Sequence, residues 1–340
     1  MSGRERSSTK REFSCAVRKL GCLHLWRLCR YGIVMKDYFS LYENCTLCPR
    51  NCKARRLDGC LGACGESSEL FVSRAALHMW EEPCISGDTG SGAVFFSGCN
   101  LHCVYCQNHD ISAGSSGKLI SKERLTEIFL ELQAQNANNI NLVTPTHFLP
   151  HVLYAAEKAK EKGLKLPFIY NTSGYESVRS LSLLDGVIDT FLPDFKYFKS
   201  ETAKLYSNAP DYPDVCKRAI KKMVSLTGAP EFDVCGLIKK GVIVRVLVLP
   251  LHTKEAMDII RYLYSEYGDD IYISIMSQYT PIPSIIPEGE EYSCLKRSVT
   301  AREYEKVVDY ALSLGIKNAY IQEGTVNLES FIPPFDNTGV

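Results

Sequence analysis

The stretch Val94-Phe95-Phe96-Ser97-Gly98-Cys99-Asn100-Leu101-His102-Cys103-Val104-Tyr105-Cys106-Gln107-Asn108 sets an apolar run directly before three cysteines spaced C-x3-C-x2-C. The run from Val94 to Ser97 reads as a buried strand, and the cysteines fall on the loop that leaves it. Three thiolates on one loop can take three corners of a [4Fe-4S] cube, leaving the fourth iron without a local ligand and open to a substrate. Zinc with His102 or His109 as its fourth ligand fits the same residues, and so does a set of buried structural thiols.

Downstream, short β-branched runs alternate with amphipathic segments, the pattern of repeated βα units around a parallel sheet. Asn141 to Thr144, Phe168 to Asn171, Val187 to Phe195, Gly241 to Leu249, Ile271 to Met276 and Tyr320 to Gln322 are the further strands. Between them Ser121 to Asn136, Phe148 to Lys162, a stretch around Thr202 and Pro213 to Leu226 read as helices. A last helix opens on the capping box Thr300/Glu303 and buries Tyr304, Val307, Val308 and Ala311. Six or seven such units predict an α/β fold, a partial (βα)6-type TIM-like barrel, with its chemistry at the C-terminal ends of the strands. The expected divisions are a basic extension over 1–36, a Cys-rich segment over 37–86, the barrel over 87–328 and a tail over 329–340.

The chain has 340 residues, 45% hydrophobic and 23% charged, which excludes wholesale disorder. With 39 Lys and Arg against 39 Asp and Glu, no global field recommends a nucleic acid or an acidic membrane as partner. Residues 1–34 hold 8 basic and 2 acidic side chains, so the rest carries 31 against 37. Met35 is expected as the natural start, with organelle targeting by the basic stretch as the alternative. No apolar run reaches membrane-span length, since Arg245 interrupts Val242 to Leu251. The 15 cysteines are odd in number and eight of them crowd into two short runs, which indicates soft-metal or cluster ligation in a reducing, cytoplasmic compartment.

The loop C-x3-C-x-aromatic-C after a first strand resembles the signature of the radical SAM superfamily. Residues from about Leu41 to Gln322 are further similar to the PflX-like group, related to pyruvate formate-lyase activating enzymes. The similarity runs through Cys45-Thr46-Leu47-Cys48-Pro49-Arg50-Asn51-Cys52, Glu82-Pro83-Cys84, Asn141 to His147, Leu192-Pro193-Asp194-Phe195-Lys196 and Ser277-Gln278-Tyr279-Thr280-Pro281. The resemblance implies that Cys99, Cys103 and Cys106 hold the cluster while S-adenosylmethionine chelates the fourth iron through its amino and carboxylate groups. It places Tyr105 by the adenine, Asn171 at the ribose, and Asp194 and Lys196 on the cofactor, Lys196 near its carboxylate.

Arg245 lies mid-strand, where a buried guanidinium needs an anion; a cofactor carboxylate or a neighbouring Asp or Glu would serve. Thr144-Pro145-Thr146 stands where most members of the superfamily carry a Gly-Gly-Glu-like segment, and Val246 where relatives commonly place His. Both are departures from the pattern. Cys45, Cys48, Cys52, Cys60 and Cys64 could supply four thiolates to zinc or to a second iron-sulfur cluster; the resemblance favours Cys45, Cys48, Cys52 and Cys64. Cys84 reads as a buried thiol, and His78, His147, His151 and His252 as core or surface residues.

The activity implied is that of a radical SAM oxidoreductase, with reductive cleavage of S-adenosylmethionine to a 5′-deoxyadenosyl radical that abstracts hydrogen. A glycyl-radical enzyme or another protein is the implied substrate, and a flavodoxin- or ferredoxin-like protein the electron donor. Radical modification of a small molecule, or a non-enzymatic iron-sulfur or zinc protein, is the alternative. No catalytic side chain is assigned.

Overall fold

A computed structural model describes residues 37–114, 116–322 and 333–340; the extension expected over 1–36 lies outside them, as does most of the junction between barrel and tail. The strands are β1 (Leu70–His78), β2 (Ser91–Phe96), β3 (Lys118–Ile120), β4 (Ile140–Val143), β5 (Phe168–Thr172), β6 (Thr190–Pro193), β7 (Glu231–Phe232), β8 (Ile238–Leu247), β9 (Tyr272–Met276) and β10 (Ala319–Ile321). They form one sheet in the order β10-β9-β8-β6-β5-β4-β2-β1-β3, with β7 paired to β8. From β2 to β10 along this order every neighbouring pair is parallel. The sheet curls without closing, so the fold is the mixed α/β, open, partial TIM-like barrel expected.

Each expected strand coincides with an observed one, though Val187 to Phe195 contracts to β6 and Gly241 to Leu249 begins earlier, at Ile238. The antiparallel strands β1 and β3 were not anticipated. β1 pairs along β2 from Val72↔Phe96 to His78↔Ser91 and carries β3 on its far edge. The Cys-rich segment is thereby hydrogen-bonded into the main sheet, and the described residues from Phe39 onward pack as one unit. The final residues extend the same edge: Ala75 N–H donates to the Thr338 carbonyl, and Phe335 packs on Phe95.

The helices α1 (Lys122–Ala134), α2 (Leu149–Glu161), α3 (Ser200–Ser207), α4 (Tyr212–Thr227), α5 (Thr253–Tyr267) and α6 (Ala301–Ser313) fill the connections between successive parallel strands. In α1 the apolar residues Leu125, Ile128, Phe129 and Leu132 recur at helical spacing and all are buried. Phe129 meets Phe168 of β5 edge-on at 5.3 Å. The capping box of α6 forms as predicted, and Glu303 also accepts from Arg297 and from the Leu251 backbone, tying the β8–α5 connection to this helix. Among the described residues no helix is long and apolar enough to cross a membrane.

Gly65 joins the Cys-rich segment to the rest. It adopts φ +85°, and a β-carbon there would overlap the Ala113 carbonyl. Gly65→Ala is therefore expected to lower stability by about 3 kcal/mol, combining left-handed strain with steric overlap. The shift in the urea unfolding midpoint at unchanged slope checks it.

Candidate functional site

A cavity of about 480 Å³ opens at the C-terminal ends of the parallel strands. Cys99, Cys103 and Cys106, all half-buried, line it. The loop that carries them is shaped by its neighbours. Gly98 has φ +80°, and a β-carbon on it would stand 2.6 Å from Glu66 Cγ and 2.8 Å from the Cys64 carbonyl. Cys99 N–H donates to that same Cys64 carbonyl at 3.2 Å, and His102 Nε2 lies 2.7 Å from the Ala63 carbonyl. Ser207 donates its hydroxyl to Cys103 Sγ at 3.2 Å.

Arg50, from the Cys-rich segment, staples this loop to the end of α3. Its guanidinium donates to the Asn100 carbonyl at 2.8 Å, to Leu101 at 3.2 Å, to Ser207 at 2.8 Å and to Asn208 at 2.5 Å. A planar five-donor fork can satisfy four carbonyls from two segments at once, where a lysine would reach fewer.

The three thiols sense one another. Burial first, and then Cys103 and Cys99, push Cys106 up to about 12, while Lys196 pulls the other way. Cys99 is raised by burial and by Cys103. Three soft donors crowded in a half-buried wall take the thiolate form only beside positive charge. Among the described residues, no three His, Cys, Asp or Glu side chains converge on one point as closely as a single metal ion demands. A four-iron cube takes one thiolate per corner and accepts a wider set.

Across the cavity Arg245 organises the polar wall. It donates through Nε to Asp194 Oδ1 at 2.8 Å and through an Nη to Asn171 Oδ1 at 2.6 Å, and its other Nη stands 3.4 Å from Glu81 Oε2. Glu81 Oε1 accepts from Asn141 at 3.0 Å and from Asn171 at 3.4 Å. Lys196 Nζ lies 2.7 Å from Asp194 Oδ2. Burial alone would raise Asp194, but Arg245 and Lys196 outweigh it and hold the carboxyl below the usual range. Burial opposes the Lys196 charge, yet Asp194 and Cys103 keep its pKa above the ordinary value.

Tyr105 is buried in a box of tyrosines, edge-on to Tyr206 and Tyr279 at 5.9 Å and to Tyr197 at 6.4 Å. Cys99, Cys103, Cys106, Tyr105, Asn171, Asp194, Lys196 and Arg245 thus meet on one cavity. Val246, by strand alternation, is buried on the opposite face. Thr144, at the glycine-rich position of the family pattern, adopts φ +57°, a conformation that β-branched residues rarely take. Thr146 and Thr172 both donate to Glu176 Oε1, joining the ends of β4 and β5 through one buried carboxyl.

Cys45, Cys48 and Cys64 are buried, while Cys52 and Cys60 are exposed. A β-carbon on Gly62 would lie 3.2 Å from Cys64 Sγ and 3.5 Å from Cys52 Sγ, so these two thiols flank one glycine. Cys48 is pushed up to about 12, chiefly by burial, with Cys64 and Cys45 adding to it. Arg56, fully buried, lies among them: it donates to the carbonyls of Ser67 and His147 and stands 3.9 Å from Cys45 Sγ. Cys84 is buried in the apolar core at the opposite end of the barrel.

Residues 93–263 match the model of the radical SAM superfamily. The chain belongs to the radical SAM superfamily. Membership implies a [4Fe-4S] cluster and S-adenosylmethionine. An uncharacterized protein of Methanocaldococcus jannaschii is 29% identical over 282 residues, 80% of this chain and 75% of the relative. Among solved structures the chain is similar to Streptococcus suis SuiB bound to its precursor peptide SuiA, with 13% identity over 67% of this chain and a TM-score of 0.44. SuiB bound to S-adenosylmethionine gives 12% identity over 66% of this chain and a TM-score of 0.42. The chain covers only 47% and 48% of those two SuiB chains.

Sequence reading missed Arg50 as a staple and Glu81 as a cavity residue. Only contacts distant along the chain reveal them.

Two outcomes follow. Arg245→Met strands the buried carboxylate of Glu81 and leaves Asp194 with Lys196 alone, and is expected to cost about 3–5 kcal/mol by denaturant titration. Burial raises Glu176 from its ordinary 4.5 to about 7, against the lowering effect of the Thr146 and Thr172 hydroxyls. Its stabilising contribution is whole below pH 4.5 and lost as pH rises through 7, so Glu176→Gln should flatten the stability profile across that window.

Proposed function

We propose that this radical SAM enzyme binds its [4Fe-4S] cluster through Cys99, Cys103 and Cys106 and its S-adenosylmethionine across the same cavity. One observation carries the reading: three thiols from one loop share a cavity with a lysine, an arginine, an aspartate and an asparagine on the strand ends. The cofactors, when bound, supply reductive carbon-sulfur cleavage and the hydrogen abstraction that follows.

The protein's part is to bind and orient. Lys196 spends one of its three N–H donors on Asp194, so it retains donors for a carboxylate. Asp194 and Asn171 present oxygens to hydroxyl groups, and Arg245 fixes both of them in place. Tyr105 offers an aromatic face for a base, held by the surrounding tyrosines. Cys103 accepts from Ser207, a hydrogen bond that tunes a ligating sulfur.

The finer reading follows the five motifs shared with the PflX-like group. The enzyme acts as an activating enzyme that places a radical on a glycine of a partner protein, fed by a flavodoxin- or ferredoxin-like donor. Cys45, Cys48, Cys52 and Cys64 form a second metal or cluster site in this reading.

Anaerobic reconstitution tests both levels. The unaltered chain should release 5′-deoxyadenosine only with reductant; Cys103→Ala should release none and lose about four irons per chain, while Cys48→Ala keeps the release. Reductant-independent or absent release in the unaltered, iron-loaded chain overturns the enzymatic reading. A glycyl doublet in the electron paramagnetic resonance spectrum of a candidate partner supports the activating role.

A further inference from the structure

The cavity has a second end. β1 runs antiparallel to β2, with His78 opposite Ser91 at the start of that strand, so the chain leaving β1 lies at the N-terminal end of the parallel strands. The cysteine loop leaves their C-terminal end. Glu81 and Glu82 therefore form a floor facing the thiols across the barrel, and both line the cavity.

The charges there do not balance. Asp194, Glu81 and Glu82 line the cavity against Lys196 and Arg245, three acids to two bases. Arg245 already serves Asp194 and Glu81. Glu82 is only 8% exposed, and its Oε2 has no hydrogen-bond partner. Beside Glu81, the fully buried Asn141 donates its Nδ2 but leaves its carbonyl oxygen unpartnered. Of these two vacant acceptors, Glu82 Oε2 belongs to a residue that lines the cavity. Burial, reinforced by Glu81, raises the Glu82 pKa against the pull of Arg245 and a hydrogen bond with Ser274.

We infer that the floor receives a cationic, hydrogen-donating group of the substrate, an ammonium or a guanidinium, on Glu82. This rests on the proposed reading of the thiol end, in which the amino group of S-adenosylmethionine is engaged at the iron and does not reach the floor. The approach suits such a group. Met79 and Trp80, 44% and 60% exposed, line the cavity next to the two glutamates, so an alkyl stem crosses an apolar rim while its charged head reaches the acids.

The test uses the full chain, reconstituted anaerobically with S-adenosylmethionine bound, and two calorimetric probes: n-butylguanidinium chloride and the uncharged n-pentanol. The cation should bind at least about tenfold more tightly than the alcohol. Glu82→Gln should bring the two within about threefold of each other, leaving iron content and S-adenosylmethionine affinity unchanged. Equal binding of both probes by the unaltered chain overturns the inference with no variant needed. Loss of S-adenosylmethionine affinity in Glu82→Gln also overturns it, because the carboxylate then serves the cofactor. A preparation that takes up no iron yet keeps its preference for the cation supports the floor and sinks the cluster assignment instead.

Discussion

A guanidinium in the wall of a parallel barrel is tolerable only if anions meet it, and Arg245 has two carboxylates and one amide oxygen around it. Asp194 comes from the end of β6, Asn171 from β5, and Glu81 from the turn after β1. One buried cation therefore fixes the relative positions of three strand ends and of a segment far away in sequence. The Asp194–Arg245 backbone bridge and the Phe195 N–H to Arg245 carbonyl bond lock the β6–β8 register at the same level. Because the penalty for an unpaired buried charge is large, this network specifies one arrangement of the cavity wall rather than an ensemble.

The Cys-rich segment belongs to the same construction. Arg50 holds the cysteine loop against α3, the Cys64 carbonyl receives Cys99 N–H, and Arg56 joins its own segment to the His147 carbonyl at the end of β4. The segment frames the three thiols. Their positions depend on carbonyls and guanidinium groups placed on both sides of the loop, so the local spacing of the cysteines accounts for only part of the geometry.

What the sequence made legible was whatever repeats locally. The parallel strands and the helices α1 and α6 announced themselves through burial period and caps, and the cysteine spacing pointed directly to the cavity. β3 was missed because three residues at a sheet edge carry too little pattern, and β1 because its burial does not alternate strictly and its pairing is set by β2. The partner of Arg245 stayed open for the same reason: Asp194 and Glu81 are 51 and 164 residues away, a distance no local pattern spans. Thr144 shows the converse case. Its identity obscured the family pattern, whereas its backbone, at φ +57°, keeps a conformation that glycine adopts with ease.

The distribution of charge along the cavity gives the site a direction. At one end Cys103 lies by Lys196; at the other, Glu81 reaches an arginine already committed to Asp194, and Glu82 Oε2 has no hydrogen-bond partner. A carboxylate-bearing ligand is drawn to the lysine, since Lys196 keeps donors free where Arg245 has three partners. In the proposed reading a cationic substrate group goes to the floor, where Glu82 Oε2 has no hydrogen-bond partner. The two ends therefore differ in the charged groups they present, and Arg245 holds the wall between them.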